Sequence, residues 1–300
     1  MRNYTYICSN KKLLTMDIKP IVAAAFLAIS ALSASAAEKY EMKYADTVRT
    51  YTMHIPEGLP KGAPLVVHAH GYGSKTRERA DLNAAADRFG FAVCNPDGAP
   101  DSRGKDGWKV GYPPQESMTV DEVDFFRALL DEVCKRFNLS RENVFLAGMS
   151  NGGDLCYQFA YTAPELFRAY GSVAGLTFEC TYLPNKLTMP VPLLEIHGTA
   201  DKTSMWDGDH LNRGGWGAYI PVPMAVEAIA THNRCTTLEV DTVASKRPDT
   251  HPVIRYRYSG APSGADVELY RVEGAPHSWH AKDLDTGTIL WEFFSRYLKH

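Results

Sequence analysis

From residue 65 to the C-terminus, short apolar runs alternate with stretches of helical periodicity, and that alternation leaves few architectures open. Leu65-Val66-Val67-His68-Ala69, between Pro64 and Gly71, reads as a strand buried on both faces. Residues 79–89 read as a helix, 91–95 as a strand and 96–117 as a polar loop rich in Pro and Gly. Thr119 opens a helix to about residue 137, with Val120, Val123, Phe126, Leu129, Leu130 and Val133 at helical spacing. Strands follow at 143–147, 169–174, 191–196, 252–258 and 266–272, with helices at 151–162, 222–232 and 286–298. Ahead of these, residues 40–55 alternate like two edge strands around an Ala45-Asp46 turn. The expected fold is α/β, a mostly parallel central sheet with helices on both faces. No linker-like composition or internal repeat divides residues 37–300, so one domain is expected. With 45% hydrophobic and 22% charged residues, disorder and fibrous repeats are poor descriptions of the chain.

The N-terminus reads as an address. Lys19 precedes an apolar stretch from Ile21 to Leu32, and Ala34-Ser35-Ala36 supplies an A-x-A cleavage pattern. The apolar run is too short to span a bilayer. Residues 1–36 are therefore expected to be a signal peptide, with Met16 an alternative start, and the mature protein to be secreted or periplasmic and free of membrane. Residues 1–36 carry four basic side chains against Asp17, a surplus of +3, so the formal −3 of the chain becomes −6 without them. An acidic body does not suit a polyanion, and nucleic acid is excluded as a partner on that ground. Five cysteines remain after the signal, an odd number. Cys94, Cys134 and Cys156 read as small core residues; Cys180 and Cys235, in or beside loops, are the expected pair if one forms. No C-x-x-C occurs to support structural zinc.

The chemistry is expected at strand ends. Gly148-Met149-Ser150-Asn151-Gly152 fits G-x-S-x-G. The pentapeptide alone is weak, since a glycine-rich turn with a solvated serine has the same letters. Its setting is stronger: an apolar strand precedes it and a helix follows, the context of a nucleophile elbow in an α/β-hydrolase fold. A serine hydroxyl needs a base, and the base an orienting acid, here in the order Ser, Asp, His. Asp201 follows the strand ending in His197-Gly198, with Asp207 and Asp209 as competitors in the same loop. His277 follows Val267–Val272, with His280 and His197 as competitors. Two donors must face the oxyanion: the Asn151 amide at the helix start, and the Tyr72 amide in His70-Gly71-Tyr72-Gly73. His68 and His70 could be read as a metal pair, but no third ligand stands at a telling spacing, and no metal or organic cofactor is expected.

The segments His70–Gly73, Asn95-Pro96-Asp97-Gly98, Trp108 with Val110-Gly111, the elbow, His197-Gly198-Thr199-Ala200-Asp201 and Gly274-Ala275-Pro276-His277-Ser278-Trp279 occur in order. Together they resemble the secreted α/β-hydrolase esterases that include feruloyl esterases of carbohydrate esterase family 1 and polyhydroxybutyrate-depolymerase-like proteins. The resemblance spans nearly all of residues 40–300. It is specific for fold and triad and less so for substrate. Members often carry a small residue where Tyr72 stands, so the tyrosine departs from the pattern. Gly214–Tyr219 through Asn233-Arg234-Cys235 resembles the feruloyl-esterase side more than the depolymerase side.

Trp108, Trp206, Trp216 and Trp279 lie in loops expected to face the strand C-termini, where flat aromatic faces suit a phenolic ring or a sugar. Loop packing is the plainer account of any one of them; Trp291, in the last helix, reads as core. The function these readings imply is a serine esterase acting on ester-decorated plant polysaccharide, with feruloyl esters first. An esterase for acetylated xylan or a polyester is the near alternative, and a catalytically silent carbohydrate-binding protein the distant one.

Overall fold

The computed structural model describes residues 38–74 and 78–300. The expected signal peptide lies outside them. The first two strands, β1 (Lys39–Tyr44) and β2 (Thr47–His54), form a hairpin around Ala45, whose φ is 48°. Then come β3 (Leu65–Ala69), α1 (Ala80–Phe89), β4 (Ala92–Pro96), the short pair β5 (Ala99–Pro100) and β6 (Asp106–Gly107), and α2 (Glu122–Phe137). The central stretch is β7 (Val144–Met149), α3 (Asn151–Thr162), β8 (Tyr170–Val173), α4 (Glu179–Tyr182) and β9 (Leu193–Gly198). The chain closes with α5 (Val222–His232), β10 (Thr237–Val243), β11 (Val253–Ser259), β12 (Val267–Val272) and α6 (Thr286–Phe294).

Ten strands make one sheet in the order β1-β2-β4-β3-β7-β8-β9-β12-β11-β10. The run from β4 to β12 is parallel, and antiparallel strands finish both ends. The inner strands read as unbroken apolar runs because both faces are covered. Leu65, Val67, Val144 and Leu146 face one core cluster, with Phe126 and Leu130 of α2 and Phe159 of α3. Val66, Phe145 and Ala147 face the other, with Leu82 of α1 and Leu290 and Phe294 of α6. On this second face Trp291 stacks on Phe91 at 4.1 Å, and Phe294 on Phe145 at 5.1 Å. This is the α/β-hydrolase fold that the alternation and the elbow imply.

Several expectations are corrected. The second helix begins at Glu122, not Thr119, because Asp121 takes the cap position and accepts the Asp124 amide at 3.0 Å. The loop at 96–117 contains the β5–β6 pair and a 3₁₀ turn at Pro113–Gln115. The last helix stops at Phe294 and runs into a 3₁₀ turn. β10 was not expected; its Leu238 and Val240 alternate with Glu239 and Asp241 but stay exposed, so no buried face marks it. All five described cysteines are free. The expected Cys180–Cys235 pair does not form: Cys180 lies against Gly111, whereas Cys235 Sγ faces the Ala265 carbonyl at 3.8 Å.

The elbow depends on missing side chains. A Cβ on Gly152 would stand 2.0 Å from the Ala69 carbonyl oxygen, and one on Gly148 2.0 Å from the Gly152 carbonyl oxygen. Neither backbone can move without shifting β3, β7 or α3. Gly152→Ala is accordingly expected to destabilise the fold by at least about 2 kcal/mol, read as a fall in the urea midpoint; a midpoint unchanged from wild type would contradict this account of the elbow.

Candidate active site

Ser150 occupies the turn between β7 and α3 with φ 57° and ψ −121°, a conformation non-glycine residues rarely adopt. Its amide donates to the Val173 carbonyl at 2.9 Å, which ties the turn to β8. Gly71, just before Tyr72, passes close enough that a Cβ on it would lie 3.4 Å from Ser150 Cβ. The loop carrying the Tyr72 amide thus abuts the serine, and Asn151 opens the helix beyond it. The Asn151 side chain faces away and clamps another loop: Oδ1 accepts the Trp108 amide at 2.7 Å, and Nδ2 donates to the Trp108 carbonyl at 3.0 Å.

His277 and Asp201 meet from the ends of β12 and β9. His277 Nδ1 lies 2.6 Å from Asp201 Oδ2, while Asp201 Oδ1 accepts the amides of Thr203 at 2.7 Å and Ser204 at 2.8 Å. Asp201 is buried and His277 keeps part of its surface, the arrangement a base needs to reach a substrate. The competitors stand elsewhere. Asp207 is exposed, and Asp209 uses both oxygens on the amides of Arg213 and Gly214. His280 is buried against Asp283, and burial pushes its pKa down to about 4, with the Asp283 hydrogen bond and charge opposing. His197 lies buried behind Asp201.

Ser150 and His277 open onto one cavity of about 210 Å3. Its walls are Tyr72, Tyr112, Leu176 and Trp216, with Thr203 and Ser204 beside the acid. The three rings brace one another: Trp216 meets Tyr112 at 5.1 Å and Tyr72 at 5.7 Å, and Tyr72 meets Tyr112 edge-on at 5.5 Å. Burial, reinforced by the Tyr72 hydrogen bond to Asp101, pushes the Tyr72 hydroxyl up to about 12.

Of the four tryptophans expected to touch substrate, Trp216 lines this cavity and the others do not. Trp108 is fully buried and donates its indole N–H to the His70 carbonyl at 2.9 Å, supporting the Tyr72 loop from beneath. Trp279 packs in the core on the far face, donating to Asp81 at 2.8 Å. Trp206 is half-buried, edge-on to His197 at 6.0 Å. Tyr112 and Leu176 line the cavity without having been expected there. Tyr112 stands four residues after Trp108 in a Pro- and Gly-rich loop, an aromatic as legible as the tryptophans; nothing in the letters around Leu176 distinguishes it.

His68 and His70 are engaged in the protein. His68 Nδ1 faces Asn95 Oδ1 at 3.2 Å; His70 Nδ1 donates to the Gly71 carbonyl at 2.8 Å, and its Nε2 accepts the Gly98 amide at 2.9 Å. Among the described residues no group of three or more His, Cys, Asp or Glu is placed to hold a metal ion.

Residues 49–184 match the family model described as Esterase PHB depolymerase. The chain is 32% identical over 181 residues to a protein named putative esterase NocK, from Nocardia uniformis subsp. tsuyamanensis; the match covers 56% of the chain and 49% of that protein. It is 28% identical over 142 residues to feruloyl esterase B of Neurospora crassa, covering 44% of the chain and 46% of that protein. The chain thus spans about half the length of these curated relatives. Among solved structures, an acetyl xylan esterase from Aspergillus awamori superposes with a TM-score of 0.58 at 16% identity, covering 86% of this chain and 99% of that one. At that identity the likeness speaks for the fold. The resemblance to esterases implied by the ordered motifs therefore holds in sequence and in fold.

Behind the cavity, Tyr112 donates its hydroxyl to Asp154 Oδ2 at 2.6 Å, and Asp154 Oδ1 accepts the Leu176 amide at 2.7 Å. Burial pushes the Asp154 carboxyl up to about 8, against the pull of these two hydrogen bonds. Folded Asp154 therefore keeps a proton that the unfolded chain loses above about 4, so its contribution to stability falls as pH rises toward 8. The unfolding free energy of wild type relative to Asp154→Asn should decline from pH 5 to pH 8; a flat difference would contradict a protonated Asp154. Tyr112→Phe keeps the ring but strands one buried oxygen, and a loss of about 1–3 kcal/mol is expected by urea denaturation.

Proposed function

We propose that the protein is a serine esterase, with Ser150 as nucleophile, His277 as general base and acid, and Asp201 as the orienting carboxylate. The observation that carries this reading is that the elbow serine and the Asp201-bound histidine open onto one cavity. Ser150 Oγ attacks the ester carbonyl carbon while His277 Nε2 accepts its proton. The carbonyl oxygen takes up the negative charge and faces the amides of Tyr72 and Asn151, beside the positive end of α3. Collapse expels the alcohol, which receives the proton from His277. Water, deprotonated by the same imidazole, then attacks the acyl carbon; the bond to Ser150 Oγ breaks, the acid leaves, and His277 returns the proton to Oγ. Asp201 holds Nδ1–H throughout and keeps Nε2 free for these transfers. No step requires a metal or organic cofactor.

For substrate we propose an aromatic acyl ester, with feruloyl esters on plant cell-wall polysaccharide first. The ring set of Tyr72, Tyr112 and Trp216 supports this, since such faces gain about 0.5–1.5 kcal/mol on a planar ring beyond simple burial. The named relative from Neurospora crassa points the same way. One observation favours a second reading, an acetyl ester: the cavity, at about 210 Å3, is smaller than the roughly 300–1,000 Å3 of common ligand sites. The reading also takes residues 1–36 as a signal peptide and the mature enzyme as secreted or periplasmic.

Methyl ferulate, acetylated xylan and polyhydroxybutyrate offered to the purified protein separate these substrates. Ser150→Ala should lose several orders of magnitude in turnover on whichever ester is cleaved, with the fold retained. Near-normal activity in that variant would remove the mechanism. Trp216→Ala should lower kcat/KM for methyl ferulate about two- to tenfold more than for p-nitrophenyl acetate. Equal losses on the two esters would make Trp216 a brace for its loop rather than a contact for the acyl ring.

A further inference from the structure

A second histidine lies behind the acid, and the mechanism above leaves it idle. His197 is fully buried at the end of β9, with Nδ1 2.8 Å from Glu195 Oε1 and Nε2 2.8 Å from the Ser204 carbonyl oxygen. A carbonyl oxygen only accepts, so Nε2 carries a hydrogen. Nδ1 faces a carboxylate, so a further proton lies between the two side chains. Burial works to lower the His197 pKa, but the hydrogen bond and charge of Glu195, with the Ser204 carbonyl and Asp201, together outweigh it and raise the pKa above its ordinary value.

This pair touches the triad at two points. Ser204 donates its amide to Asp201 Oδ1 at 2.8 Å while its carbonyl is held by His197. The residue is thus gripped at both ends, and with it the loop whose Thr203 amide also serves Asp201. In addition, His197 Nε2 stands 3.7 Å from Asp201 Oδ2, the oxygen that receives His277. Glu195 Oε1 also accepts the Gly175 amide at 3.2 Å, which ties the pair to the loop carrying Leu176.

We propose that Glu195 and His197 are positioning residues for the triad: their ion pair fixes the Ser204 carbonyl, and so the amides that hold Asp201, and sets a positive charge beside the oxygen that orients His277. The proposal rests on the reading of Ser150, His277 and Asp201 as a catalytic triad. The other titratable groups facing the pair are Asp154, Cys156 and Tyr157 of α3 and His280 of the loop after β12. Burial keeps each of these in its neutral form near pH 7. The acidic side chains in reach of His197 are then Glu195 at 2.8 Å and Asp201 at 3.7 Å.

The test uses the full chain as wild type, Ser150→Ala, Glu195→Gln, His197→Gln and the Glu195→Gln/His197→Gln double variant, with p-nitrophenyl acetate as substrate. Ser150-dependent turnover in wild type is the first requirement, and its absence overturns the triad reading itself. Glu195→Gln keeps the size of the side chain and an oxygen for the Gly175 amide, but deprives the buried imidazole of its counter-charge. His197→Gln removes the imidazole outright. Each single change should lower kcat about 10- to 100-fold with KM within about threefold, because the base is misplaced rather than the ester. Each should also move the acid limb of the kcat/KM–pH profile about one unit toward higher pH, because a cation near the base has gone. The double variant should go no further than either single one, since one change already removes the charge. Turnover within twofold of wild type overturns the proposal. So does a fall in kcat with the acid limb unmoved, which is what packing alone would give. Glu195→Gln is assayed at a temperature where circular dichroism shows it folded, and failure to fold at any temperature would make Glu195 a residue of the fold and overturn its assignment to the triad.

Discussion

The close approach of β3, β7 and α3 at the elbow is the constraint on which the site depends. The Ala69 carbonyl occupies the space a Cβ on Gly152 would need, and the Gly152 carbonyl the space of one on Gly148. With both backbones pressed together, the chain can leave β7 and enter α3 only through a tight turn, and Ser150 takes φ 57°. A non-glycine residue held there stores on the order of 1–3 kcal/mol, which the surrounding core must over-determine. The parallel sheet does so: Leu65, Val67, Val144 and Leu146 anchor one face beneath the turn, and Val66, Phe145 and Ala147 the other. The same packing sets the neighbouring strand ends at fixed spacings. Asp201 after β9 and His277 after β12 therefore meet although 76 positions apart in sequence.

How much of this was legible in the sequence follows from where physical signals are local. The inner strands were legible because burial on both faces writes an unbroken apolar run. The elbow was legible because a strand, a serine between glycines and a helix occupy adjacent positions. β10 was not, because an exposed edge strand buries nothing and its alternation of Leu238 and Val240 with acidic residues has no core to face. The tryptophans show a different limit. Trp108, Trp216 and Trp279 all stand in loops near strand ends, yet one supports the Tyr72 loop, one lines the cavity and one lies in the core on the other face. Composition says that a large ring must be buried; only the three-dimensional path of the loop says against what. Cys180 and Cys235 failed as a pair for the same reason, since two loop positions carry no information about a shared neighbour.

The buried polar groups extend the site inward. From the cavity wall the hydrogen bonds run from Tyr112 to Asp154 and then to the Leu176 amide, while the adjacent Gly175 amide bonds Glu195, which pairs with His197. His197 then holds Ser204, and Ser204 holds Asp201. Replacing such a buried pair by apolar groups of the same shape costs little stability, whereas removing one partner strands the other. Here the two carboxyl groups receive consecutive amides of one loop, so a shift in either would move both the cavity wall at Leu176 and the support of the acid.

The proposed chemistry and the cavity walls rest on different kinds of structure. The proposed reacting groups sit on strand ends fixed by the sheet, whereas the cavity walls come from loops around residues 72, 112, 176 and 216. Three of those walls are rings that hold one another by edge and tilted contacts, not by backbone pairing. Ring contacts of this kind are worth about 0.5–1.5 kcal/mol each beyond simple burial. At Tyr72 the two meet: its ring lines the cavity, while the preceding Gly71 passes so close that a Cβ on it would lie 3.4 Å from Ser150 Cβ.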